Sequence, residues 1–325
     1  MAKYDVVIGG AGLFGATLAK MFHNAGKKVL VIERDEIGGL CADQIGYSKY
    51  GIHIFHTDDK LLWDWVNDVC DFVPVHYSPL VQYKDNIYSF PINKLTLHQV
   101  GFKGQIGELK GDNFEEACIN AIGAELYELF YYHYTKKMWG REPRYIPSSI
   151  LKRIPVRMDY NTSYFNDRYV GVPSCGYSEF ISRLLIGSEV VKGDFNKEHT
   201  KYNCTKVFTG SIDEFFKFRY GPLEYRGLTF AECDPVDAMA INYTDDREYT
   251  RKINYSYLYP TDITIVETPS SKGRMYPLPW DDKYKKYAAL STDVHFGGRL
   301  GSYRYLNMNE VIESAISMFN KIVFR

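Results

Sequence analysis

Two histidines three positions apart, His53 and His56, sit in the run KYGIHIFHTDDK (residues 49–60) among isoleucine and phenylalanine. Such a pair can clip a metal, relay a proton, or set two polar rings beside a bulky ligand. A metal is the weakest of these, because no Cys or acid stands at ligand spacing to complete a tetrahedral set. A second group lies in SSILKRIPVRMDYNTSYFNDRYVGVPSCGYSEF, where Arg153, Arg157 and Arg168 alternate with Tyr160, Tyr164 and Tyr169. Guanidinium forks bind phosphate bidentately and phenols add neutral donors, so this mixture suits a diphosphate. No Ser/His/Asp or Cys/His set stands out, nor an obvious pair of catalytic carboxylates. The residues point to binding, orientation and charge rather than to a side-chain nucleophile.

The elements that must carry these groups begin with YDVVIGGAGLFGATLAKMFHNAGKKVLVIERD. DVVIG has the β-branched character of a buried parallel strand. Gly10-Ala11-Gly12-Leu13-Phe14-Gly15 then matches G-x-G-x-x-G. Gly10 serves the tight turn, Gly12 the approach of a pyrophosphate, and Gly15 the close packing of the following helix. That helix is expected to run to about Asn24 and stop at Gly26. KKVLVIE is the second strand, and Glu33 at its end is placed for a ribose diol. The acid disfavours NADP, although Arg34 follows it. Gly38-Gly39 just beyond is a pattern typical of FAD proteins.

From about 91 to 150 the chain reads as helical. Asn113 is a plausible cap with Glu116 as its capping-box partner. Phe130 and Tyr134, four apart, share a helical face, with Trp139 just beyond the turn; an aromatic stripe of this kind also serves plain core packing. Pro147 and Pro155 bracket a segment that reads as an exposed loop. AINYTDDREYTRKINY and RMYPLPW read as strands carrying Asn242, Arg251 and Tyr276. VHFGGRLGSYRYLNMNEVIESAISMF reads as strand, double glycine, loop and helix, a helix N-terminus suited to negative charge.

Composition narrows the class. With a formal net charge of −1 and no Lys/Arg block, the chain is expected to bind neither nucleic acid nor a membrane surface. No stretch is long and apolar enough to span a bilayer. Six scattered cysteines without C-x-x-C are expected to be reduced thiols in a cytoplasmic protein. The outlier is aromatic: 28 Tyr and 19 Phe supply stacking faces and hydroxyls for a ring-bearing, phosphorylated ligand, or simply fill cores.

The motifs GLFGA, KYGIHIFHT, YTKKMWGR, LKRIPVR, YFNDRY, EYR, YTR and FGGRL..Y.Y..M, in that order, resemble prokaryotic UDP-galactopyranose mutases over essentially the whole chain. The resemblance implies an isomerase that interconverts UDP-galactopyranose and UDP-galactofuranose, with N5 of reduced FAD as nucleophile at the anomeric carbon. It implies an α/β fold with α+β insertions: a discontinuous Rossmann-like FAD-binding domain (1–75, 171–225, 285–325), a helical domain (91–150) and an antiparallel β-sheet domain (76–90, 151–170, 226–284). Arg153 and Arg251 would bind the diphosphate, with His56 as the third catalytic residue. Gly10, Gly12, Gly15, Glu33, Arg34, Gly39, Leu40, His53, Arg299 and Met308 would hold FAD. Phe130, Tyr134, Trp139, Tyr164, Asn242, Tyr276, Tyr305 and again Arg299 would meet the UDP-sugar. The implied partners are that substrate and a second copy in a homodimer.

This chain departs from the pattern at Leu40 and Asp43, where Asn and Thr are usual, and at Ser302 and Asn307, where acids are common. It also looks trimmed near 92–115 and 192–205. The readings kept open are a mutase for another UDP-hexose, such as a 2-acetamido sugar, an FAD-dependent oxidase, and a non-catalytic nucleotide-sugar binder.

Overall fold

The computed structural model describes residues 3–44, 46–148, 150, 156–280 and 282–324. The chain crosses back and forth between two compact units: residues 1–74, 167–225 and 274–325 form one, and 75–166 with 226–273 the other.

The first unit is α/β. Five parallel strands lie in the order Glu189–Lys192, Val29–Glu33, Val6–Gly9, Thr205–Phe208, Val294–Phe296. Val6, Val7 and Ile8 are all buried, as a parallel strand covered on both faces requires. The first helix, Leu13–Asn24, packs against the C-terminal helix Met308–Val323, with Phe22 edge-on to Phe319 at 5.0 Å. Burying two such rings contributes about 1.5–3 kcal/mol each. A smaller antiparallel sheet pairs Phe55–Thr57 and Phe72–Pro74 with Tyr169–Pro173.

In the second unit, six strands follow in the order Tyr225–Glu232, Thr264–Ser270, Arg251–Asn254, Ala240–Tyr243, Leu80–Tyr83, Asn86–Ser89. Neighbours are antiparallel except Ala240–Tyr243 with Leu80–Tyr83. Most of the expected helical and sheet regions thus fall in one unit, while 167–170 and 274–284 go with the first.

Three expectations are corrected. Among the described residues of 91–150, the α-helical and π-helical stretches are Lys94–Gln99 and Phe114 to Trp139, with short 3-10 turns such as Pro143–Tyr145 beyond them. Gly123 (φ 79°, ψ 160°) breaks the long run, and Glu128–Tyr132 continues it as a π segment. Asn113 does cap, accepting the Glu116 N–H, but the Glu116 carboxylate accepts from Asp112 N–H instead of from the cap residue. The cysteines are not all free thiols: Cys70 and Cys175, separated by 105 residues, are joined as a disulfide, while Cys41, Cys118, Cys204 and Cys233 are free. A fold that brings the end of helix Lys60–Val69 beside the turn after Tyr169–Pro173 creates this pair, which sequence spacing does not reveal. Among the described residues no helix is long and apolar enough to cross a membrane.

Candidate active site

The first unit builds a cradle at the ends of its central strands. Gly10 has φ 108°, and a Cβ there would lie 2.1 Å from Thr209 Oγ1. A Cβ on Gly15 would lie 2.0 Å from the Gly10 carbonyl oxygen, so helix and strand meet only because that position is bare. Gly12 differs: the nearest atoms to a Cβ there are Gly38 O at 3.8 Å and Gly39 Cα at 3.9 Å. No neighbouring protein atom therefore requires Gly12 to lack a side chain, which fits a backbone kept open for a ligand to approach.

Gly38 N–H donates to the Ala11 carbonyl, laying the second glycine segment beside the first. Glu33 ends its strand with Oε2 accepting from Ala11 N–H (2.6 Å) and Oε1 from Asp35 N–H (2.8 Å). Each carboxylate oxygen keeps further acceptor capacity for a diol. The donor set fits a dinucleotide. Arg34 turns to Glu214 at 2.6 Å, Leu40 lies in the short turn Gly39–Cys41, and Met308 is buried at the start of the last helix.

The departing residues have local work. Asp43 accepts from Ser178 N–H (2.9 Å) at the start of helix Tyr177–Leu184, while its own N–H donates to Ser178 Oγ (2.8 Å). Burial pushes the Asp43 carboxyl up from its ordinary range. Asn307 caps Met308–Val323 in a reciprocal box with Glu310, a role Asn fills as well as Asp. Ser302 donates to the Gly298 carbonyl at 2.6 Å.

Around this cradle the expected aromatic and basic groups assemble. Arg299 donates through Nε to Leu306 O (2.8 Å), and its guanidinium stands 4.8 Å from the Tyr305 ring centre and 5.9 Å from that of Tyr276. Tyr276 and Tyr305 stack at 5.4 Å. The histidines have different partners. His53 Nδ1 bonds the Gly51 carbonyl (2.9 Å); burial, reinforced by the charge on Arg299, pushes its pKa down to about 4, so it stays neutral. His56 Nδ1 lies 3.0 Å from Asp167 Oδ2.

In the second unit the sheet register gathers a polar row. Asn242 pairs across strands with Arg251, and Arg251 with Glu267, so three adjacent strands present one residue each. Arg251 donates from Nε to Asn242 Oδ1 (2.9 Å) and from Nη2 to Tyr134 Oη (3.1 Å), with Glu267 Oε2 at 3.7 Å. Burial pushes the Glu267 carboxyl upward against the pull of Arg251. Tyr77, whose hydroxyl burial pushes up to about 12 while Arg251 pulls it down, packs edge-on to Tyr164 at 5.5 Å. Tyr164 N–H donates to the Tyr77 carbonyl at 2.7 Å.

Phe130 does not share the role of Tyr134. The π segment carries its ring into the core, 2 % exposed between Tyr88 (5.7 Å) and Phe90 (6.4 Å), so in this structure it is core packing. Trp139 is the last residue of helix His133–Trp139 and is partly buried. Arg153 lies outside the described residues. Sequence reasoning missed Asp167, Glu267 and Tyr77. Asp167 sits inside the quoted motif YFNDRY, and Glu267 is the lone acid in the strand TIVETPS, an expensive choice for a buried position without a cation.

Comparison with known proteins identifies relatives along the whole chain. The family model for UDP-galactopyranose mutase matches residues 129–305, and that for an NAD(P)-binding Rossmann-like domain matches residues 8–69. The dTDP-fucopyranose mutase of Escherichia coli is 33 % identical over 363 residues, covering 96 % of each chain. A probable UDP-galactopyranose mutase of Klebsiella pneumoniae is 31 % identical over 360 residues, covering 97 % of this chain and 94 % of its own. Both alignments exceed the 325 residues of this chain, so these relatives carry insertions it lacks. The crystal structure of a reduced UDP-galactopyranose mutase superposes with a TM-score of 0.76 at 13 % identity, covering all of this chain and 94 % of that one, which establishes the fold.

Proposed function

This chain belongs to the UDP-galactopyranose mutase family of isomerases, and from that premise we propose that it interconverts UDP-galactopyranose and UDP-galactofuranose with reduced FAD. When bound, the reduced flavin supplies the nucleophile that the side chains do not offer. The protein's share is binding and electrostatics. Gly10, Gly12, Gly15, Glu33 and the Gly38-Gly39 turn would hold the dinucleotide, with His53 neutral beside it. Arg299, Tyr276 and Tyr305 supply a cation and two hydroxyls for flavin and phosphate.

The observation that carries this reading is Arg251. Its guanidinium is held by Asn242 and Tyr134, with Glu267 behind it. Such a preorganised cation costs little reorganisation when charge develops on the departing nucleotide diphosphate. Arg153, placed by motif in LKRIPVR, would add a second guanidinium.

One finding favours a second reading. The 33 % identical relative acts, by its name, on dTDP-fucopyranose, so a deoxythymidine diphosphate 6-deoxy sugar is the rival substrate. Both can be tested together. FAD-loaded protein is incubated with dithionite and, in parallel, UDP-galactofuranose or dTDP-fucofuranose, and the pyranose product is resolved by chromatography. Conversion of the first at the higher kcat/KM supports the proposal. Preference for the second transfers the reading to the thymidine sugar, and oxygen uptake with amines in the absence of dithionite would replace it with an oxidase.

A further inference from the structure

We propose that Asp167 is a positioning residue: its carboxylate fixes the tautomer and orientation of His56, so that Nε2 is presented to the sugar as an acceptor. The inference rests on the mutase reading above, together with the motif resemblance that makes His56 a catalytic residue.

The placement is built by two strands. Phe55 and Thr57 are each 2 % exposed, so alternation along Phe55–Thr57 turns His56 to the other face. His56 pairs in register with Val170 of the Tyr169–Pro173 strand. Asp167 is in the approach to that strand, and the next residue is clamped: Arg168 N–H donates to Asp58 Oδ1 at 2.8 Å. Trp63 stacks on Tyr169 at 5.4 Å and holds the same stretch from its side. The two side chains that result, 15 % and 23 % exposed, meet at 3.0 Å.

Chemistry then decides the proton's place. The hydrogen bond from His56, its largest influence, holds the Asp167 carboxyl below the usual carboxylate range. An ionised carboxylate only accepts, so Nδ1 must carry the hydrogen, and in the neutral ring Nε2 is the acceptor. A ring flip would set a carbon against the carboxylate and lose a charge-assisted bond. His53, three residues earlier, has only a carbonyl on Nδ1 and lies near the charge on Arg299, which opposes protonation.

Among the described residues, His56 Nδ1 meets a carboxylate and His53 Nδ1 a backbone carbonyl. Converting a pyranose to a furanose removes one proton from the 4-hydroxyl and places one on the former ring oxygen O5. A proton is placed on O5 as the ring opens and one leaves the 4-hydroxyl as it recloses; a ring locked with Nε2 as acceptor can receive the second and hand it to O5 at the next opening, so the count closes over each turnover.

The test reads the tautomer directly. In flavin-free full-length protein labelled with 15N in its histidine rings, with H56Q for assignment, His56 is expected to show protonated Nδ1 and bare Nε2. D167A is expected to lose that preference. In holoenzyme, D167A lowers kcat about tenfold or more with KM within about twofold, as for loss of an oriented acid–base group. D167E, which keeps the anion, recovers part of it.

An Nε2–H tautomer in the wild type, an unchanged tautomer in D167A, wild-type kcat in D167A, or a rise in KM alone would overturn the assignment. Should D167A fail to fold, the wild-type tautomer still decides. If the wild type turns over no furanose substrate, the mutase reading fails while the tautomer result stands separately.

Discussion

Arg251 is the side chain on which stability and activity meet. If it steadies the departing diphosphate as proposed, R251A is expected to lower kcat by about two or more orders of magnitude. R153A is expected to lower it similarly, on motif alone. Wild-type-like steady-state rates would reject either assignment. R251A also leaves Glu267, 4 % exposed, without its cation. The orphaned carboxyl then has a folded pKa above its unfolded value, so its contribution to stability is present at low pH and lost as pH rises. Urea midpoints for R251A should therefore fall between pH 5 and pH 8 more steeply than for the wild type; parallel curves would contradict the pairing.

His53 works with the opposite sign. Its folded value near 4 lies below the ordinary 6.5, so the unfolded chain binds more protons between them and stability falls as pH drops through that window. At pH 5 the loss is on the order of 1–2 kcal/mol. Flavin-free H53Q should lack this component in the same titration. Arg251, Asn242 and Tyr134 could be picked from sequence because motifs mark them. Glu267 and Tyr77 could not, since what gives them meaning is a cross-strand register and a partly buried guanidinium.

The glycine turn and its helix separate two kinds of requirement. At Gly15 a methyl group meets a carbonyl oxygen, so G15A is expected to lower both the thermal midpoint and flavin retention. At Gly12 the protein itself leaves room, so G12A should melt close to the wild type while binding FAD far more weakly. The check is bound flavin per chain after gel filtration, set beside thermal melts. A G12A protein that retains flavin fully would remove the dinucleotide from this turn.

The first strand–helix–strand was legible nearly to the residue, ending at Gly9, Asn24 and Glu33, because strand period, helical period and glycine stops agree there. The run after Asn113 was less so. A glycine inside a helical pattern costs about 1 kcal/mol and is often tolerated, and only packing reveals that Gly123 breaks the helix. The π segment that follows likewise turns Phe130 into the core, which four-residue spacing to Tyr134 does not foretell. The Cys70–Cys175 bond is wholly tertiary.

At the scale of the molecule, the chain passes repeatedly between two units, each bringing one chemical kit. One unit has the glycine cradle, the histidines and Arg299; the other has the polar row centred on Arg251. The fold class was legible, since βαβ patterning at one end and the double glycine at the other belong to one parallel sheet. The division into units was less so, because helices and sheet of the second unit look like separate regions in sequence but share one core.

We expect the chain to move a nucleotide sugar between ring sizes only when its flavin is reduced. The most direct measurement is anaerobic conversion of UDP-galactofuranose by the FAD-loaded protein, with and without dithionite, followed by chromatography. The account predicts steady formation of UDP-galactopyranose with reductant and little without it. Equal rates in both samples, or no pyranose from a fully reduced, flavin-replete enzyme, would contradict it.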